Sequence, residues 1–485
     1  MSSKRTLPSR HGRVFPGHQP RHQRKWSRSR GGRAAALVAA AAVAASGLAA
    51  CSSGSGATSG TAALNLKKLS GTLNIMGFGT NGDDVAMNRF KLAEKAMPKV
   101  KVSAPNGGFN DQSFLASVAS GNPPDLVYMS AADLGTYAAK GALMPLTSCI
   151  SSAGINMSTF TPGARQEVTY DGAVYGIPEF TEDTTIIVDD SAAAKAGVSP
   201  SQVSTTNWAS LLTTAKKMTK LSGGKVKEIG FDPKVDAVFP LWAKANGGAI
   251  VSSNGLTAEL NSPQDIQALA YTKQLIDEQG GGNAFFSFRN TLNYFGNNNP
   301  FAEDQEASTP WQNWMYQVVA STTPKVKLTA EPFTTRSGQP IDFVDGSVWA
   351  IPAKAKNKAA ACKWAQVMTE TSTWMAAARD RIALYKREHY VFTGIQTGNQ
   401  VADAGILKLF EATTPKSSPW YQPTVESYNV EKDSFTVPTS PAGEAIQNAW
   451  IQAVTAAVEG HSTPKQALDQ AEQTAQTAIN QAKQP

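Results

Sequence analysis

Trp242, Trp311, Trp314, Trp349, Trp420 and Tyr421 each stand near Asp, Glu, Asn or Gln in the chain. That pairing suits recognition of a neutral sugar. A ring stacks on the apolar C–H face of a sugar, while carboxylates and amides bond its hydroxyls in the plane. Trp208, Trp364 and Trp450 instead recur on apolar helix faces and read as core. Parts for other chemistry are few. After residue 50 only His389 and His461 remain, far apart and outside any metal-ligand spacing. No G-x-S-x-G elbow occurs. Ser222-Gly223-Gly224-Lys225 lacks the earlier Gly and the following Ser/Thr of a phosphate loop. The pairs Glu182-Asp183 and Asp189-Asp190 leave a glycosidase-type acid and base open, beside solvated faces or bonds to ligand hydroxyls. No catalytic residue, metal or cofactor is assigned.

The elements that must position these groups follow an α/β pattern. A short strand at 72–76 leads into the loop Gly77-Phe78-Gly79-Thr80-Asn81-Gly82, then a helix over 83–97 with Asp83 and Asp84 at its N-terminus and Pro98 beyond its end. A strand at 100–102 completes a βαβ beginning. In such sheets ligands sit beyond the carboxyl ends of the strands, so Phe78, Asn81 and Asp83 are candidate site residues. An amphipathic helix over 111–120, preceded by Asn110 and carrying Gln112, leads to a buried strand at 125–129 and a helix over 131–140 capped by Gly141. Asp171-Gly172 marks a hairpin turn. The apolar run after it meets Pro178, which is expected to end regular structure just before Glu179 and Asp183. Residues 417–439 are Pro-rich and read as irregular. Ser262-Pro263 and Thr463-Pro464-Lys465-Gln466 each open a helix.

The chain has 485 residues and a formal charge of +7. At that length two or more domains are expected. Ten Lys/Arg and no acid fall within residues 1–33, and residues 34–50 carry no charge; what remains has 35 Lys/Arg against 38 Asp/Glu, a net charge of −3. The body is mildly acidic, which argues against a nucleic-acid partner. The basic stretch, the Ala-rich run and the small residues at 46–51 have the layout of a secretory signal. Leu48-Ala49-Ala50-Cys51 resembles a bacterial lipobox, in which Cys51 is lipidated after cleavage; plain cleavage leaving a free Cys51 is the other reading. Ser52 to Gly60 would be a flexible tether, with 51–63 as the whole linker. Cys149 and Cys362 remain, either as one disulfide or as two buried thiols.

Phe114-Leu115-Ala116-Ser117-Val118-Ala119-Ser120-Gly121-Asn122-Pro123-Pro124-Asp125-Leu126-Val127-Tyr128 resembles a signature of family 1 extracellular solute-binding proteins, the binding components of ABC sugar importers. Tyr137 to Leu146, Tyr170 to Phe180 and Asp345 to Pro352 are similar to further family segments, the last two to its hinges. Thr309-Pro310-Trp311 stands where many members have Gly-Pro-Trp. Phe301 to Ala307 departs from the family run by lacking its Gly-Lys. The resemblance spans about residues 70 to 482.

It implies a type II two-lobe α/β binding fold, each lobe a sheet flanked by helices, with lobe one at 64–180 and 346–393 and lobe two at 181–345 and 394–485. It implies crossings near Pro178–Thr181, Asp345–Trp349 and residue 393. The expected ligand-binding residues are Phe78, Asn81, Asp83, Asn110, Gln112, Glu179, Asp183, Trp242, Trp311, Asn313, Asp345 and Trp349. The expected function is capture of a mono- or oligosaccharide by hinge closure and delivery to a membrane permease. The implied protein is a monomer held on the outer face of a bacterial membrane by its N-terminal lipid. A polyamine, peptide or polyol binder and a surface glycoside hydrolase are the competing readings.

Overall fold

The structure is a computed structural model and describes residues 63–80 and 82–483. The leader at 1–50, the lipidation candidate Cys51, nearly all of the tether and Asn81 lie outside the described residues. The strands of the two main sheets are numbered β1 to β8 in chain order.

The first sheet has the order β2-β1-β3-β8-β4. Its members are β1 (Gly71–Met76), β2 (Val100–Ser103), β3 (Leu126–Ser130), β4 (Gly176–Glu182) and β8 (Asp345–Ala350). β1 pairs in parallel with β2 and β3, while β8 runs antiparallel between β3 and β4. The carboxyl ends of β1, β3 and β4 therefore share one edge with the start of β8. Register fixes this, with Asp345 opposite Glu182 and Ser347 opposite Ser130. The second sheet is β6-β5-β7, built from β5 (Thr184–Asp189), β6 (Ser308–Gln312) and β7 (Leu328–Glu331), with both neighbours antiparallel to β5. One residue, Asp183, separates the two sheets along the chain between β4 and β5.

Apolar periodicity covers the sheets with helices. Helices Asp84–Ala96 and Lys358–Thr369 share a core with β1, β3 and β8 around Leu73, Ile75, Trp349 and Trp364. Helices Trp208–Met218, Val235–Ala245, Pro263–Asp277, Gly443–Val458 and Pro464–Ala482 bury one face each in a larger core with Trp208, Trp242 and Trp450. The caps follow the sequence: Asp83, Ser262 and Thr463 each accept a backbone N–H of the first turn, and Gln466 closes the Thr463 box. Asp171 and Gly172, both at positive φ, turn the hairpin between Thr169–Tyr170 and Ala173–Val174.

Two expectations are corrected. Pro178 does not end regular structure, because the pairing of β4 with β8 shifts register there: Val348 faces Pro178 and Ser347 faces Phe180. The bulge takes up the missing N–H of Pro178 and leaves Glu179 as the extra residue. Finally, residues 417–439 hold a helix, Tyr421–Val430. Pro423 sits in its first turn, where a missing N–H costs no helical hydrogen bond.

Cys149, on helix Thr147–Ala153, is bonded to Cys362 on helix Lys358–Thr369. Among the described residues no helix is long and apolar enough to cross a membrane, and no group of three or more His, Cys, Asp or Glu could hold a metal ion.

Candidate functional site

The shared edge of the first sheet meets the second sheet at Asp183. Asn313 follows β6 directly. Its backbone N–H donates to the Asp183 carbonyl at 2.9 Å, and its side-chain amide reaches Asp183 Oδ2 at 3.4 Å and Gln396 Oε1. Glu182 accepts a hydrogen bond from Trp314 and lies opposite Asp345 in the β4–β8 register. Beside them, the two-residue strands Asp342–Phe343 and Ser434–Phe435 pair in parallel.

From Asp345 a narrow cleft opens between two helix N-termini, Ala131–Ala139 after β3 and Gly443–Val458. Glu167 and Asp345 line it together with Phe343, Ser440, Gln447 and Trp450. The space within reach of a water-sized molecule is about 60 Å³, so the walls stand close together. A roomier groove of about 350 Å³ lies elsewhere, along Gly247, Gly248, Glu259, Asn261 and Glu472. No aromatic ring lines it, nor do Asp183, Asn313 or Asp345, so we place the candidate site in the narrow cleft.

Electrostatics single out this region. Glu167, the last residue of helix Pro162–Glu167, is 3% exposed, and neither carboxylate oxygen has a hydrogen-bond partner among the described residues. Burial, and then the charges of Asp345, Asp183 and Glu182, push its carboxyl well above the ordinary range. Glu182 is pushed up to about 8 by burial and by Asp345, against the pull of the Trp314 hydrogen bond. Asp183 rises to about 6 through burial, and Asp342 goes well above its usual value through burial and Asp183, to which it hydrogen bonds. Asp403 and Glu431 form a second such pair, with Asp403 at about 7 and Glu431 well above its usual value through burial and Asp403. Each pair is best described as one proton shared between two carboxyls.

The sign of the pH effect follows. The folded values lie above the unfolded values of about 4, so between about pH 4 and 8 the native chain binds more protons than the unfolded one. The stability these groups contribute is full below the lower limit and is lost as pH rises through the folded values. Asp83 and Asp236 are shifted the other way, and their contribution is lost only in acid. The ligand-free protein should therefore melt higher at pH 5.5 than at pH 8. The slope is up to ~1.4 kcal/mol per pH unit for each proton taken up. Glu182→Gln should flatten the profile. A melting temperature that falls on acidification from pH 8 would contradict this account.

Among the expected ligand-binding residues, Asp183, Asn313 and Asp345 come together where the chain passes from the first sheet to the second. Trp311 lies two residues before Asn313, partly buried, with Tyr294 at 4.4 Å and Trp314 at 6.0 Å between ring centroids. Lys234 Nζ sits 3.6 Å from its ring centre, so one face already carries a cation. Burial and the nearby Arg289 hold Lys234 down at about 8.

The other expected residues are placed elsewhere. Phe78 and Trp349, 4% and 0% exposed, pack with Tyr128 inside the first sheet's core. Trp242 is wholly buried, and its indole donates to the Pro233 carbonyl at 2.8 Å. Glu179 is held in a buried ion pair with Arg89 and accepts from the Tyr128 hydroxyl at 2.9 Å. Asp83 caps its helix and pairs with Arg381 at 3.0 Å. Asn110 caps helix Asp111–Ala119, and Gln112 is exposed on that helix.

Sequence reasoning missed Glu167, Phe343, Ser440 and Gln447, and read Trp450 as core alone. Glu167 carries a faint signal, an acid between an amphipathic turn and the apolar Val168. The others come from segments remote in sequence, and only the fold brings them together.

Residues 86–382 match the sequence profile of the bacterial extracellular solute-binding proteins. No curated protein sequence matches the chain. Solved structures share the fold. CpMnBP1 with mannotriose bound is 23% identical with a TM-score of 0.66, covering 84% of this chain and 100% of that one. An ABC substrate-binding protein from Listeria monocytogenes in complex with cycloalternan is 21% identical with a TM-score of 0.66, covering 85% and 99%. The cyclic α-maltosyl-1,6-maltose binding protein from Arthrobacter globiformis is 19% identical with a TM-score of 0.63, also covering 85% and 99%. With its profile match over more than half its length, the chain belongs to the bacterial extracellular solute-binding protein family.

Proposed function

We propose that this chain is the substrate-capture component of an ABC importer and takes a carbohydrate into the cleft between helices Ala131–Ala139 and Gly443–Val458. The observation that carries the reading is the lining of that cleft. Phe343 and Trp450 offer ring surface beside Ser440, Gln447, Asp345 and Glu167, the mixture that sugar faces and hydroxyls require. Structures of the same fold hold mannotriose and cycloalternan. The role is binding without catalysis. The bound protein would dock on a membrane permease served by a separate ATPase, as a monomer outside the cytoplasm, tethered through lipid on Cys51.

Capture would proceed by hinge closure. Lobe one would be built on the first sheet and lobe two on the second, with Asp183 and Val344 at the first two chain crossings. A space of about 60 Å³ does not admit a sugar unless the walls part. The walls meet through two glycines. A Cβ on Gly135 would overlap the Ser440 carbonyl oxygen and stand 2.8 Å from Thr439 Cγ2; a Cβ on Gly443 would overlap the Ala132 carbonyl oxygen. Gly135→Ala should therefore penalise the closed form by about 1–3 kcal/mol, as overpacking does. In the open form it should cost nothing, because alanine is the better helix former. The expected result is unchanged or higher thermal stability with a 5- to 150-fold loss of affinity. Scattering should also show a radius of gyration that no longer shrinks on adding ligand. Lower stability with unchanged affinity would mean that the two walls never part.

A calorimetric and thermal-shift screen of residues 52–485 against sugars, polyols, amino acids and polyamines tests the ligand class. Ligand at about 100 times its dissociation constant should stabilise by roughly 2.7 kcal/mol. A shift with sugars, recovered intact, supports the reading. Hydrolysed sugar would mark an enzyme, and a shift confined to polyamines would mark a cation binder.

A further inference from the structure

We propose that the ligand of this cleft carries a protonated amine seated against Glu167, so that the captured carbohydrate is an amino sugar or an oligomer containing one. The proposal rests on the carbohydrate reading above and narrows it.

Two independent observations carry it. The first is Glu167 itself. Its side chain lines the cleft, is 3% exposed, and has neither oxygen hydrogen-bonded within the described chain. A buried carboxyl with neither oxygen paired is costly, and such groups mark places where a partner arrives from outside. The second is the sign of its surroundings. The charges that act on Glu167 are those of Asp345, Asp183 and Glu182, all acidic. Asp345 lines the same cleft, and Glu182 lies directly opposite it across two strands. Gly346 lets the carboxylate come close: a Cβ there would stand 2.9 Å from Glu167 Oε1.

A neutral sugar hydroxyl would satisfy one oxygen and leave these clustered acids without a counter-charge, so that Glu167 stays protonated. An ammonium supplies three donors and a positive charge, and answers both. Arg89, Lys234 and Arg289, the buried cations nearest in kind, are engaged elsewhere with Glu179, Asp232 and Asp236. The ring surface of Phe343 and Trp450 remains for the sugar body, and Ser440 and Gln447 for its hydroxyls.

The test is titration calorimetry at pH 7 on residues 52–485, unaltered and as Glu167→Gln and Asp345→Asn. The probes are glucosamine, galactosamine and mannosamine, their neutral and N-acetyl counterparts, the β-1,4-linked dimers of glucosamine, N-acetylglucosamine and glucose, and putrescine. An amino sugar should bind at least tenfold more tightly than both counterparts, and Glu167→Gln should abolish that preference. Glu167→Gln should leave the melting temperature of the ligand-free protein at pH 7 unchanged or higher, since a neutral amide replaces a carboxyl that burial already holds protonated, and this shows that the variant folds. Neutral or N-acetyl sugars binding as well as the amino form would overturn the proposal and leave the carbohydrate reading standing. Putrescine binding without any sugar would overturn both. An amino preference that survives in both variants would remove the ammonium from Glu167 and Asp345 and sink the assignment, as would no binding of any amine.

Discussion

Glu179→Ala should lower the unfolding free energy by about 3–5 kcal/mol, the largest single-residue effect expected in this chain. The reason lies in what is left behind. The Arg89 guanidinium is buried, 3.7 Å from the centre of the Trp374 ring, with one nitrogen shared between Glu179 and the Met368 carbonyl at 3.2 Å. Its Nε has no partner among the described residues. Removing the carboxylate strands this charge and also takes one hydrogen-bond partner from the Tyr128 hydroxyl. Replacing both partners with apolar groups, as in Arg89→Met with Glu179→Leu, should cost much less, because no charge then remains buried. Urea unfolding of the three proteins measures the difference. If Glu179→Ala instead kept its stability and lost ligand, Glu179 would belong to the site and its place in the core would be wrong.

The second large effect is expected on removing the Cys149–Cys362 bridge. It closes a loop across 213 positions, and chain-entropy reasoning gives about 5 kcal/mol for a loop of that size, with 2–5 kcal/mol typical of native bridges. The loop contains the whole second sheet, from β5 to β7. The bridge therefore ties together, in the first sheet's core, two helices that flank the whole excursion through β4, the second sheet and β8. A Cys149→Ala/Cys362→Ala protein should unfold at lower denaturant while keeping its ligand affinity, because neither position lines the cleft. Measuring both properties on one preparation decides the point. A loss of affinity with unchanged stability would show that the bridge governs the hinge.

Local chemistry was legible in the sequence wherever it needed only a few neighbouring residues. The Asp171-Gly172 turn, the caps at Asp83, Ser262 and Thr463, and the buried faces of Trp208, Trp364 and Trp450 all follow from spacing. What failed was inference from polar neighbours to an exposed ring. Trp349 has Asp345 four residues before it, yet β8 is an interior strand covered on both faces, so its position relative to Asp345 gave no guide to solvent. Trp242 has Lys244 and Asn246 nearby, but helical geometry turns it into the core with Phe231 and Phe333. Glu179 was misread because a one-residue bulge decides which way it points, and a bulge has no reliable signature beyond the Pro beside it. The cleft was the least legible part. Glu167, Phe343 and Gln447 are drawn from three distant segments.

The bridge also bears on handling. The chain holds three cysteines, so a preparation that keeps an unlipidated Cys51 has three possible pairings and a thiol able to attack the native one. Starting at residue 52 leaves Cys149 and Cys362 with each other as the one intramolecular choice. A lipid joined to Cys51 through a thioether would have the same effect: an alkylated sulfur takes no part in exchange, so the anchor would at the same time protect the fold from scrambling.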